Sequence, residues 1–100
     1  MKDPQQELLK EQNKAYIKFF KALANEERIQ IILLLKKNEE MCAQDVEHHF
    51  FLEQSTTSHH LNTLRRAGIT KTRKEGRKIY YSIDQESFLK ILTQFSDLLQ

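Results

Sequence analysis

At Gly68 the spacing of apolar residues changes, and that change limits what this 100-residue chain can fold into. Downstream lie Ile69-Thr70-Lys71-Thr72-Arg73 and Lys78-Ile79-Tyr80-Tyr81-Ser82-Ile83, rich in β-branched and aromatic residues. The Lys74-Glu75-Gly76-Arg77 segment between them carries the turn, so the pair reads as a β-hairpin. Tyr80 and Tyr81 alternate across the second strand, so one ring packs inward and the other outward. From Gln85 to Leu99 helical spacing returns, with Phe88, Leu89, Ile91, Leu92, Phe95, Leu98 and Leu99 as one broad stripe.

Upstream of Gly68 the pattern is helical. Two glycines and one proline in the whole chain leave few breakers. Gln5 to Leu23 places Leu8, Leu9, Ala15, Tyr16, Phe19, Phe20 and Leu23 at helical spacing, with Pro4 at the entry. Asn25 is an N-cap, followed by Glu26 and Glu27 in a first turn that favours negative charge. Ile29 to Leu35 is apolar nearly all round, which predicts the most buried helix of the chain. Lys36 and Lys37 suit its end, and Asn38 to Met41 reads as a connector. A short third helix runs from Ala43 to Phe50, with Val46 and Phe50 inward. A fourth, from Gln54 to Ala67, buries Leu61 and Leu64 behind a polar face. Helices three and four, joined by a tight turn at Phe51, form a helix-turn-helix unit, and the hairpin makes a wing. The predicted fold is mainly α, one domain over residues 1–100, in the order α-α-α-α-β-β-α.

Composition narrows the partners. At 39% hydrophobic and 30% charged residues the chain is globular rather than disordered. The net charge of +2 says little, but its distribution is uneven. Arg65, Arg66, Lys71, Arg73, Lys74, Arg77 and Lys78 face one acid, Glu75, within residues 65–78. The acids gather at Glu26 and Glu27, at Glu39 and Glu40, and from Asp84 to Glu86. A local basic stripe in a near-neutral chain points to an anionic partner at one place. The lone cysteine, Cys42, excludes a disulfide framework within the chain and fits a reducing, cytoplasmic compartment. The first 20 residues are charged throughout, unlike a signal peptide, and the apolar run Ile31 to Leu35 is too short to cross a bilayer. No Gly-rich phosphate loop, carboxylate pair or nucleophile-base set is present, so an enzyme is not expected.

The polar face of the fourth helix suits the major groove of double-stranded DNA. Gln, Ser, Thr and His exchange hydrogen bonds with base edges, while Arg and Lys hold phosphates. Four segments carry a family resemblance: FKALANEERIQIILLLKK, EMCAQDV, LEQSTTSHHLNTLRRAGI and RKEGRKIYYSI. Together they resemble the ArsR/SmtB family of winged-helix transcriptional regulators over about residues 19–83. The resemblance implies a homodimer through the first and last helices, bound to an inverted-repeat operator as a repressor. It implies base contacts from Gln54, Ser55, Ser58 and His59, with Thr57 on the same face. His60 points about 100° away and is the weaker candidate. Arg65, Arg66, Arg73, Lys74, Arg77 and Lys78 are the candidate phosphate or minor-groove contacts. Leu9, Tyr16, Phe88, Leu92, Phe95 and Leu99 are the candidate dimer contacts.

Three departures from the family pattern bear on control. One family metal site pairs two cysteines in the third helix, and here the matching stretch is Cys42-Ala43-Gln44. Another uses histidines in the last helix, which here holds none. The adjacent pairs His48-His49 and His59-His60 do not share a helix face. No metal site and no cofactor are therefore expected. Cys42 remains a candidate redox site, more readily read as a small core residue. Where relatives often place Gly in the turn, this chain has Phe51. A positive φ there is strained unless the turn changes shape or the ring packs on the core. Phe50 and Phe51 also make a weak candidate patch for a ligand or partner. A protein-interaction module built on the same fold is the alternative reading of the whole chain. The basic wing and the QSTTSHH face argue against it.

Overall fold

The computed structural model describes residues 3–100. Helices α1 (Pro4–Leu23) and α2 (Glu26–Asn38) lead to a two-residue strand β1 (Met41–Cys42). Helices α3 (Ala43–Phe50) and α4 (Gln54–Arg66) follow, then strands β2 (Thr70–Glu75) and β3 (Lys78–Ile83), and helix α5 (Gln85–Leu98). The expected order is present with one addition. The segment read as a connector contains β1, which pairs antiparallel with β3 through Met41–Tyr81 and Cys42–Tyr80 and makes a sheet of order β1-β3-β2. Two residues carry no periodicity of their own, and only the partner strand makes them a strand.

The helix ends follow local chemistry. The Asp3 carboxylate accepts from the Gln5 N–H at 3.0 Å, with Pro4 in the first turn of α1. The Asn25 side chain accepts from the Arg28 N–H at 3.0 Å at the start of α2. The Asp84 side chain accepts from the Ser87 N–H at 3.1 Å at the start of α5. Helix α4 closes with Ile69 N–H to Leu64 C=O at 3.0 Å and Gly68 N–H to Arg65 C=O at 3.1 Å. This Schellman closure needs a left-handed residue after the cap, and Gly68 has φ +80°. The backbone therefore favours glycine, and a Cβ there would stand 2.9 Å from Ser87 Oγ and make that hydroxyl shift.

Two non-glycine residues adopt positive φ. Glu39 (φ 68°, ψ −53°) forms a γ-turn closed by Glu40 N–H to Asn38 C=O at 2.8 Å, a strained shape that ends α2 and aims the chain into β1. Phe51 (φ 56°, ψ 38°) is left-handed and ends α3, with its N–H and that of Leu52 both donating to the Glu47 carbonyl. Left-handed backbone costs a side-chain-bearing residue about 1–2 kcal/mol. The Phe51 ring is 94% exposed. The turn therefore keeps the shape that favours glycine, and the idea that core packing tolerates the ring is corrected. Phe50 takes the inward place instead.

The core lies where α1, α2, α3 and α4 converge over the base of the sheet. Phe19, Ile31, Leu35, Val46, Leu61, Leu64 and Ile69 are fully buried in it. Tyr81 packs against this cluster, while Tyr80 lies under the Arg73 guanidinium at 4.7 Å. The expectation that α2 is the most buried helix is corrected, since α4 buries more residues over the same length. Ile31, Leu34 and Leu35 are buried, but Ile29 and Leu33 stand exposed. A protomer this small covers only one side of the helix. The open side forms a groove of about 370 Å³ with α5, lined by Ile32, Leu33, Lys36, Ile83, Phe88 and Leu89.

The terminal helices leave apolar surface uncovered. From Asp3 to Ala15 every residue of the α1 region is exposed except Glu7. Leu8, Leu9, Ile17 and Phe20 on α1, and Leu89, Leu98 and Leu99 at α5, are all open. The aromatic rings between the two helices are engaged within the protomer. Tyr16 meets Phe95 edge-on at 5.2 Å, Phe20 meets Phe95 at 4.9 Å, and Phe19 meets Phe88 at 5.0 Å. Of the candidate dimer contacts, Leu9 and Leu99 are therefore free, and Leu92 and Phe95 are half-buried. Tyr16 is buried, and Phe88, like Leu92, packs on the core of its own chain, so these residues have less surface left to offer a second copy. Period alone cannot tell which rings of an apolar stripe turn toward their own protomer.

Candidate nucleic-acid interface

Helix α4 is amphipathic, and its two sides have different jobs. Leu61 and Leu64 drive the inner side into the core. Gln54, Ser55, Ser58 and His59 are all exposed on the outer side, in the first two turns. Thr57 is not with them. It is fully buried and its hydroxyl has no hydrogen-bond partner, so a base contact by Thr57 is corrected to a core position. Residues 57, 61 and 64 are spaced four and three apart and lie one above another on the inner face. That spacing was readable, but a threonine among polar neighbours masks it. The Glu53 carboxylate makes no capping bond, which leaves the first N–H groups of α4 available to an external acceptor.

A polar relay anchors α4 to the rest of the protein. His60 is buried, with its Nδ1 3.2 Å from Arg28 Nη1. Arginine carries no acceptor, so Nδ1 accepts and the ring hydrogen sits on Nε2. That Nε2 lies 3.3 Å from Glu27 Oε2, within ion-pair range but off the hydrogen-bond direction. Arg28 also donates from Nε to the Ala22 carbonyl at 2.8 Å and from Nη2 to the Lys21 carbonyl at 3.2 Å. One guanidinium thus caps the end of α1, sits in the first turn of α2 and holds the middle of α4. Neither Arg28 nor Glu27 stands out in the sequence, because their partner is distant, 32 positions away from Arg28.

The wing carries the positive charge outward. Lys71, Lys74, Arg77 and Lys78 are exposed, as are Arg65 and Arg66 at the end of α4. Gly76 (φ +60°) turns the hairpin. Arg73 is different. Its Nε donates to Glu40 Oε2 at 3.0 Å, its Nη1 donates to Glu75 Oε2 at 2.8 Å, and Nη2 reaches Glu40 Oε1. The hydrogen bond from Arg73 holds the Glu40 carboxyl below its ordinary range, and the same pairing raises the Arg73 pKa. Arg73 therefore ties β2 to the turn after α2 and is less available to a phosphate than its neighbours. Glu40, in the turn after α2, is a partner of the wing that sequence reasoning missed, because it stands 33 positions from Arg73.

Cys42 is buried, and its thiol donates to Asp45 Oδ2 at 3.2 Å in the first turn of α3. Among the described residues, no three His, Cys, Asp or Glu side chains converge on one point. No helix among them is long and apolar enough to cross a membrane.

A helix with an outward polar face, followed by a basic hairpin, is a DNA-reading arrangement, and known proteins share it. Residues 25–72 match the profile described as bacterial regulatory protein, arsR family. The chain is 39% identical over 69 residues to a cadmium resistance transcriptional regulatory protein CadC homolog of Staphylococcus aureus, covering 69% of this chain and 57% of that protein. The chain thus spans about 60% of the length of the cadmium-resistance relatives it matches. It is 40% identical over 78 residues to the transcriptional activator HlyU of Vibrio cholerae, covering 78% of this chain and 70% of that protein. Among solved structures, a homodimeric winged helix-turn-helix DNA-binding domain from Mycobacterium bovis superposes with a TM-score of 0.71 at 25% identity, covering 99% of this chain and 88% of that one. With the expected winged helix-turn-helix present and the family pattern spanning α2 to β2, the chain belongs to the ArsR family of DNA-binding transcription regulators.

Proposed function

We propose that residues 1–100 act as one domain that dimerises through α1 and α5 and represses transcription by occupying an inverted-repeat operator. The observation that carries this reading is the outer face of α4. Gln54, Ser55, Ser58 and His59 are exposed together at the end of the helix that enters a major groove first. Gln54 pairs with an adenine edge, the two serines and His59 complete the readout, and α4's unfilled N–H groups hold a phosphate. Arg65, Lys74, Arg77 and Lys78 supply phosphate or minor-groove contacts, while Arg73 sets the wing's angle. The dimer is supported by the N-terminal half of α1, where Leu8 and Leu9 stand open. An isolated helix of that length is marginal in water, so a second copy is the natural cover. A dimer seated on a promoter excludes the polymerase by occupancy, which makes repression the simplest outcome.

Cadmium is named for relatives, yet within these residues a thiolate site has one sulfur per chain, Cys42, already bonded to Asp45. We assign this segment no tight soft-metal response.

The test is a binding-site selection followed by titrations at several salt concentrations. Gln54→Ala is expected to cost about 1–3 kcal/mol per half-site on the selected site and much less on random DNA. Arg77→Ala is expected to weaken both DNAs by similar factors and flatten the log–log salt slope by about one unit per lost contact. Equal losses on both DNAs for Gln54→Ala would remove its base-reading role. An unchanged slope for Arg77→Ala would leave the wing in solvent.

A further inference from the structure

We propose that Phe51 is a specificity residue whose ring touches a thymine methyl at the edge of the operator half-site. This rests on the DNA-binding reading above and adds a contact to it. Three observations converge. Phe51 is 94% exposed, the most open large apolar residue among those described, so its ring stabilises nothing in its own protomer. Its backbone is left-handed (φ 56°), a conformation that glycine takes freely and phenylalanine does not. A residue that is both strained and unpacked is accounted for by a contact outside the protomer.

The position names the partner. Phe51 stands three residues before Gln54, at the mouth of α4. A recognition helix enters the major groove by this end, so the turn that precedes it is carried to the edge of the groove. Both the Phe51 and Leu52 N–H groups are bonded to the Glu47 carbonyl, and Leu52 is half-buried, so the backbone that carries the ring is held in place. Only the two side-chain torsions of the ring are left to order on contact, a small cost for an aromatic side chain. An apolar group in the major groove has one base-specific partner, the C5-methyl of thymine. Ser55, Ser58 and Gln54 beside it carry no comparable apolar surface. The contact therefore adds a preference for thymine that the polar face does not supply.

The experiment is a methyl scan of the selected operator, with deoxyuridine replacing each thymidine in turn, for wild type, Phe51→Gly and Phe51→Ala. Losing one methyl contact is worth about fourfold in affinity per half-site. The wild type is expected to lose about that much at one thymine of each half-site. Phe51→Gly and Phe51→Ala are expected to bind the natural operator about as wild type binds the deoxyuridine one, and to be indifferent to that methyl. Melting temperature separates this from a folding defect. Phe51→Gly relieves the left-handed strain and is expected to melt no lower than wild type while binding more weakly. If no thymine shows methyl sensitivity that depends on residue 51, the proposal is overturned and the DNA reading stands. If Phe51→Gly changes the oligomeric mass instead, the ring packs on a second copy and the proposal is likewise overturned. A wild type that selects no site overturns both readings.

Discussion

Removing the His60 ring should cost about 2 kcal/mol, and the structure says where that figure comes from. A hydrogen bond to a charged group contributes about 1.5–3 kcal/mol. His60 makes one to the Arg28 guanidinium at 3.2 Å and is itself buried. After His60→Ala, Arg28 still holds the Ala22 and Lys21 carbonyls, so the charge is not stranded. The loss therefore stays near the lower end, with lost ring packing adding a few tenths. For a domain of this size each kcal/mol moves the midpoint by about 4–8 °C, so His60→Ala should melt about 8–16 °C lower. His60→Asn places an amide oxygen where Nδ1 accepts and should recover more than half of the loss. His60→Leu fills the space but faces the guanidinium with a methyl and should do worse than Asn. The assay is thermal and urea unfolding at one fixed chain concentration, because the proposed dimerisation would couple to stability. Operator affinity measured alongside should fall with stability across the series, since the relay sets the angle of α4. A cost under about 0.5 kcal/mol for His60→Ala, or an Asn variant no better than Leu, would show that Arg28 and His60 are neighbours without consequence.

Thr57→Val replaces a buried, unpartnered hydroxyl with a methyl of similar shape. It should raise stability by about 1 kcal/mol without altering operator affinity; weaker operator binding would return Thr57 to the base-reading face. The lowered pKa of Glu40 means that its tie to Arg73 is intact above the ordinary carboxyl value of 4.5 and is lost as pH falls through the lowered one. A carboxyl NMR titration should place the Glu40 midpoint below 4.5, and Arg73→Ala should return it toward that value. Leu9→Asp acts on the open face of α1, where no core packing is at risk, and should halve the mass in sedimentation from twice 11.9 kDa to one chain. Phe95→Asp should do the same and lower the melting temperature as well, because its ring also holds Tyr16 and Phe20; a wild type that sediments as a monomer would end the dimer reading.

Periodicity was enough for most elements. Helix α3 starts and ends at the residues its pattern indicates, α4 begins at Gln54 as expected, and β3 spans Lys78–Ile83 as expected. These are local properties: apolar spacing, caps at Asn25 and Gly68, and a glycine turn between β-branched runs. The exposure of Gln54, Ser55, Ser58 and His59 was legible for the same reason, since a polar face opposite Leu61 and Leu64 has only one way to turn.

What depends on two distant segments meeting was not legible. Strand β1 exists because β3 lies beside it, and Arg73 is spent on Glu40 because the turn after α2 reaches the hairpin 33 positions later. Thr57 and His60 share the helical face of Leu61 and Leu64, but their polar chemistry hides it, and only the fold shows that one is in the core and the other is bonded to Arg28. Phe51 shows the division most clearly. The sequence alone marked it as an odd residue for a tight turn, through the cost of a side chain at positive φ. Whether the ring turned inward or outward depended on the packed core, where Phe50 lies against the cluster of Val46 and Leu61 and Phe51 does not. Local backbone preference is written in a few consecutive residues, whereas the occupancy of a shared volume is settled only when all the segments that compete for it are in place.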